Sequence, residues 1–114
     1  MVYLQAAGLS GAAAVALGAW GAHSSALKGG NPVFADVFKT ASNYHFIHTG
    51  VLLISATQFH GKKRNVVCGL LLTGIIVFSG SCYVVAVKQD RAWGKLAPFG
   101  GMSLIAGWLA IAFL

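Results

Sequence analysis

The sequence predicts an all-α integral membrane protein, a four-helix bundle whose second helix begins with an amphipathic lead-in. Three observations predict it. The 114 residues are 57% hydrophobic and only 9% charged, with a mean hydropathy of +0.75. Soluble domains carry about 25% charged residues, and a soluble chain this short has too much surface to cover with so few. The apolar residues fall in runs at 2–22, 66–87 and 96–114, with a more polar run at 41–60. At a rise of about 1.5 Å per residue, runs of this length cross the roughly 30 Å hydrocarbon core of a bilayer. Finally, the net charge of +6 is gathered in short clusters between the runs, and glutamate is absent. Lysines and arginines so placed suit lipid headgroups, each contributing about 1 kcal/mol near an anionic surface. Nucleic-acid binding needs a basic face on a folded domain, and no such face is visible. The expected partners are therefore the lipid bilayer and other membrane protein subunits.

The first run, 2–22, contains no charged residue. A secretory signal peptide is disfavoured because the run lacks a basic leading region and exceeds the usual apolar stretch. Small residues recur along it, and Ala7/Gly11 and Ala14/Gly18/Ala22 fall at four-residue spacing. Such spacing lets helix backbones approach closely in lipid, so Gly11, Gly18 and Gly21 are candidate packing positions. His23 closes the run.

Gly29-Gly30-Asn31-Pro32 reads as a turn. Asn31 suits a helix N-cap and Pro32 the first helical position. Residues 32–40 present an amphipathic pattern expected to lie at the interface, and the helix then continues through 41–60. Gly61 is a candidate C-terminal cap, and Lys62-Lys63-Arg64 reads as a basic loop before the third helix, 66–87. Lys88 to Lys95 forms the last connection, with Trp93 suited to the membrane interface. The fourth helix, 96–114, has Pro98 in its first turn, where proline is tolerated. Gly100, Gly101 and Gly107 offer it a second close-packing face. The whole chain, 1–114, forms one membrane domain with both ends on one side. That side carries Lys62, Lys63 and Arg64, against five basic residues on the other, so the excess weakly favours the ends outside the cytoplasm.

Chemistry concentrates in Phe38 to His48. On a helix, Ala41, Tyr44, His45, His48, Leu52 and Ser55 share one face, which carries a phenol and two imidazoles into the apolar region. His23 is expected near the same membrane face. His60 is excluded, lying at the far end of the second helix. A His-x-x-His pair with a third histidine can bind a transition metal, and histidines on two helices can hold a haem. No cysteine or carboxylate completes such a site. The leading expectation is that His23, Tyr44, His45 and His48 form interhelical hydrogen bonds, with no metal and no cofactor; contact with a proton, a quinone or another ligand is one alternative, and metal or haem at His45, His48 and His23 is the other. Cys68 and Cys82 lie in one run and, on one helix, sit roughly 21 Å apart, too far for a disulfide.

Five elements occur in order along nearly the whole chain: Gly18-Ala-Trp-Gly-Ala-His23, Phe38-Lys-Thr-Ala41, Tyr44-His45-Phe-Ile-His48, Phe78-Ser-Gly-Ser81, and Leu96-Ala-Pro-Phe-Gly-Gly101 with Gly107-Trp108. Together they resemble the transmembrane protein 256 family, also called domain of unknown function 423. The resemblance implies a small multi-span membrane protein of a bacterial plasma membrane or an organelle membrane such as the mitochondrial inner membrane. It implies no activity, so no catalytic residues follow from it. Of the functions open to such a chain, a non-catalytic subunit or assembly factor of a membrane complex fits the short loops and glycine-rich faces best. A small transporter using His23, His45 and His48 is the runner-up. The chain lacks the membrane-embedded acid expected for proton-coupled export, because Asp36 and Asp90 both fall at interfaces.

Overall fold

The computed structural model describes residues 2–114, leaving aside the side chain of Ala26. Its elements are α1 (Val2–His23), the single turn α2 (Ser25–Lys28), α3 (Pro32–Gln58), α4 (Gly61–Gly74), a π-helical stretch Ile75–Ser79, α5 (Gly80–Lys88), a 3₁₀ turn Arg91–Gly94 and α6 (Ala97–Phe113). No strand occurs among the described residues. The segments α4 and α5 join through the π-helical stretch into one rod, Gly61–Lys88. Val2–His23, Gly61–Lys88 and Arg91–Phe113 are each long and apolar enough to cross a membrane. α3 is not among them, because its inward stripe is polar.

The helix starts follow local chemistry. Asn31 accepts a hydrogen bond from the Val33 N–H at 3.0 Å, and Pro32 occupies the first turn, where its missing N–H costs nothing. Ser24 caps α2 by accepting from the Leu27 N–H. α3 then runs unbroken to Gln58, so residues 32–40 and the apolar part beyond them form one rod. The reversal before α4 differs from the sequence expectation. Phe59, in extended conformation, ends α3. Gly61 instead opens α4 with φ +61°, a left-handed conformation that favours glycine. Gly61 absorbs the turn, so Lys62, Lys63 and Arg64 form the first turn of α4 rather than a loop. There the Lys63 ammonium donates to the Ile111 carbonyl at 3.1 Å and lies over the Phe59 ring, 4.4 Å from its centre.

α3 is the central element. α1 packs along one side of it and the α4–α5 rod along another, while α6 packs against α4 and the π-helical stretch. One apolar core joins Ala7, Leu52, Val67, Cys68, Leu71, Ile75 and Leu104. A second, towards the α2 end, joins Leu27, Phe38 and Ala86. Cys68 and Cys82 are both free.

Glycines set the closest approaches. A Cβ on Gly100 would overlap the backbone of Phe78, lying 2.8 Å from its Cα. One on Gly107 would lie 2.9 Å from Leu71 Cδ2, and one on Gly74 would meet Leu104 and, at 3.0 Å, the Gly100 carbonyl. Gly21 faces the ring of Phe38 with no room for a methyl group. Gly11, Gly18 and Gly101 sit in ordinary contact, their nearest neighbours 3.6–3.7 Å from a Cβ. In lipid, where apolar burial gives little drive for helix association, close contact of this kind holds helices together.

Candidate functional site

α3 buries Phe38, Ala41, His45, His48, Thr49, Leu52 and Ser55. The stripe read from the sequence is thus the inward face, with one departure. Tyr44 is 44% exposed, and its ring stacks on His48 and tilts against Phe78 rather than entering the core.

His45 lies between α1 and α5. Its Nε2 shares a hydrogen bond with Ser10 Oγ at 3.0 Å, and its Nδ1 shares one with the Tyr83 hydroxyl at 2.8 Å. Ser10 Oγ also bonds Thr49 Oγ1 at 2.6 Å. A continuous chain, Tyr83–His45–Ser10–Thr49, therefore crosses the bundle. A neutral imidazole has one donor and one acceptor nitrogen, so this chain has two proton orders.

His48 faces α6. Its Nδ1 is 2.7 Å from the Tyr44 carbonyl, which can only accept, so Nδ1 carries the proton. The indole N–H of Trp108 donates to His48 Nε2 at 3.0 Å. Both bonds form together only on a neutral ring protonated at Nδ1. The rings meet edge to face at 5.9 Å. The two histidines thus tie α3 to three different neighbours.

His23 does not join them. Ser10, the partner of His45, lies thirteen residues before His23, about 20 Å along α1. The register is set where Gly21 receives the Phe38 ring, and His45 lies about two turns deeper. Among the described residues, no three His, Cys, Asp or Glu side chains are grouped to hold a metal ion. Ser10, Thr49 and Tyr83 are missed by the sequence reading, and Trp108 enters it only as part of a family element, not as a partner of the histidines. The available signal is a lone serine, a tyrosine and a tryptophan in otherwise apolar runs and a threonine next to His48, where buried polar groups need partners.

Beside His45, a cleft of about 410 Å³ separates α1 from the rod. Leu9, Leu17, Leu72, Ile75 and Ile76 give it apolar walls, and Ser10, His45, Ser79 and Tyr83 border it. Ser79 ends the π-helical stretch; it is 1% exposed, and its hydroxyl has no hydrogen-bond partner.

The profile of a family described as "Protein of unknown function (DUF423)" matches residues 17–101, which hold the glycine-rich end of α1, the whole of α3 and the α4–α5 rod. The chain belongs to the DUF423 family. Relatives of this DUF423 protein include the UPF0382 membrane protein YwdK of Bacillus subtilis, 36% identical over 103 residues, covering 86% of this chain and 82% of the relative. A UPF0382 membrane protein of Staphylococcus haemolyticus is 37% identical over 100 residues, covering 85% and 80%. One from the fission yeast Schizosaccharomyces pombe is 31% identical over 114 residues, covering 95% and 96%. No solved structure matches the chain. With three rods of membrane-crossing length and apolarity and relatives named as membrane proteins, this DUF423 protein is an integral membrane protein. Neither the family description nor the relatives' names state an activity.

Proposed function

We infer that this DUF423 protein serves as a non-catalytic subunit or assembly factor of a larger membrane complex. One observation carries the reading. All four ring nitrogens of His45 and His48 close on groups of the same chain, three of them on other helices, so the imidazoles act as ties between helices rather than as open ligands or exposed bases. The outer face of α1 supports it. Gly8, Leu9 and Val15 are exposed, and a Cβ on Gly8 would meet nothing within 4 Å, so a neighbouring helix can approach there without displacing anything.

The test is purification at native abundance in a mild detergent, with a photoreactive residue at Leu9. A defined assembly of fixed stoichiometry, cross-linked through position 9 and lost in a Gly8→Trp variant that still folds, is expected. A homogeneous monomer with no cross-link, whose deletion leaves every membrane complex intact, refutes the reading.

A further inference from the structure

We propose that the cavity between the end of α1 and the first half of α3 binds an anionic phospholipid, its phosphate held by Lys28 and Lys39 and its apolar part resting on the glycine face of α1. The proposal goes beyond the subunit reading and does not depend on it.

The cavity measures about 410 Å³. Gly18, Gly21 and Ala22 of α1 and Phe38 of α3 make its apolar side. Lys28, Lys39 and Asn43 line it as well, and all three are exposed, so their donors are open to an occupant. The two lysines come from different elements, α2 and α3, and folding brings both to one cavity. Among the described residues, no acidic side chain lines it. Two like charges held at one site repel each other, and an anion between them relieves that repulsion. The surroundings reinforce the field. The Gln89 side chain lies against Gly30, so the end of α5, with Lys88, comes to the same end of the bundle.

Depth defines the occupant. Gly18 lies five residues before His23, the last residue of α1, about 8 Å along the axis. Lys28 ends α2, beyond the end of α1. The cavity therefore runs from the headgroup region to the edge of the hydrocarbon core. A phospholipid presents its phosphate and then its acyl chains in that same order, and basic pockets between transmembrane helices hold anionic headgroups. Free phosphate would use the lysines and leave the apolar side empty. A zwitterionic phospholipid would bring an ammonium of its own towards Lys28 and Lys39. A volume in the range of sites for drug-sized molecules takes the phosphate, the glycerol and the start of one chain, and the rest of the lipid lies along α1 in the bilayer.

The test uses the full chain in dodecyl maltoside, with dioleoyl phosphatidylglycerol and dioleoyl phosphatidylcholine as probes and native mass spectrometry to count bound lipids. One phosphatidylglycerol should bind about tenfold or more tightly than the first phosphatidylcholine, since two lysines face its charge. Lys28→Gln and Lys39→Gln should each weaken phosphatidylglycerol by about fivefold, the worth of one basic residue near an anionic headgroup, and leave phosphatidylcholine unchanged. Both positions are exposed, so both variants should keep the fold. Lys88→Gln removes the same charge from the same end of the bundle but outside the cavity, and should change the affinity by less than about twofold. Ala22→Phe, at an exposed position on the apolar side, should fill the cavity and abolish the preference with both lysines in place. Millimolar inorganic phosphate should not displace the lipid. Equal affinity for the two lipids overturns the proposal. So does a loss in Lys88→Gln as large as that in Lys28→Gln or Lys39→Gln, or a folded Ala22→Phe variant that keeps the preference. Displacement by inorganic phosphate overturns it too, by assigning the lysines to a free anion.

Discussion

Replacing Gly100 by alanine should unfold the bundle more readily than the same change at its neighbour Gly101. The two glycines share the first turns of α6 and differ in what faces them. A methyl group at Gly100 would overlap the Phe78 backbone nitrogen and stand 2.8 and 2.9 Å from its Cα and Cβ. Those atoms belong to the rod itself, so relief requires moving one helix away from another. At Gly101 the same methyl would find the Phe78 ring at 3.7 Å, an ordinary contact. Overpacking costs about 1–3 kcal/mol, and a backbone obstacle puts Gly100 at the upper end. Alanine returns roughly 1 kcal/mol of helix propensity at both sites. The net expectation is a loss of about 2 kcal/mol at position 100, near a thirtyfold shift in the folding equilibrium. At position 101 the change should be neutral or slightly stabilising. Reversible unfolding in mixed micelles of increasing dodecyl sulfate, followed by far-ultraviolet circular dichroism, measures both. Free energies within about 0.5 kcal/mol of each other, the usual scatter of changes away from any special contact, would refute the close approach of α6 to Phe78.

Three further outcomes follow from the polar ties. Trp108→Phe keeps the ring and removes the donor to His48 Nε2; a loss of about 0.6–1.7 kcal/mol is expected in the same unfolding assay, the range for hydrogen bonds between membrane helices. His45→Leu and Ser10→Ala should be non-additive in a double-mutant cycle, because one hydrogen bond joins them; simple additivity would show that the bond contributes nothing. Gently purified protein should carry neither stoichiometric metal nor a Soret band, as measured by elemental analysis and absorption; about one metal or haem per chain, lost in His48→Gln, would make the α3 stripe a cofactor site.

Much of this fold was legible because membrane helices write their burial in composition and spacing. The inward face of α3 could be read from Ala41, His45, His48, Leu52 and Ser55, since three- and four-residue steps fix a helical face whatever packs against it. The Asn31-Pro32 start was equally local. Depth was harder. Nothing in the order of residues says that Phe38 docks at Gly21, and that contact decides that His45 meets Ser10 while His23 lies some 20 Å away. The basic triplet after Gly61 has the composition of a loop, yet a single left-handed residue makes the turn and frees the lysine to reach Ile111. The π-helical stretch left no sign in Ile75-Ile-Val-Phe-Ser79; it lies where the rod packs against α6 and α3.

The central place of α3 also bears on how the chain is made. As synthesis proceeds, α3 follows α1, so Ser10 is already available when His45 and Thr49 emerge. Tyr83 and Trp108 come 38 residues after His45 and 60 after His48, respectively. A nascent α3 therefore has the partners of one edge and waits for those of the others, and a helix whose imidazoles are only half-paired enters hydrocarbon poorly. On this ground α3 is expected to complete its insertion with the second half of the chain. Damage to α5 or α6 should then appear first as chains cleared by the membrane's proteases before they mature, and only afterwards as a less stable product.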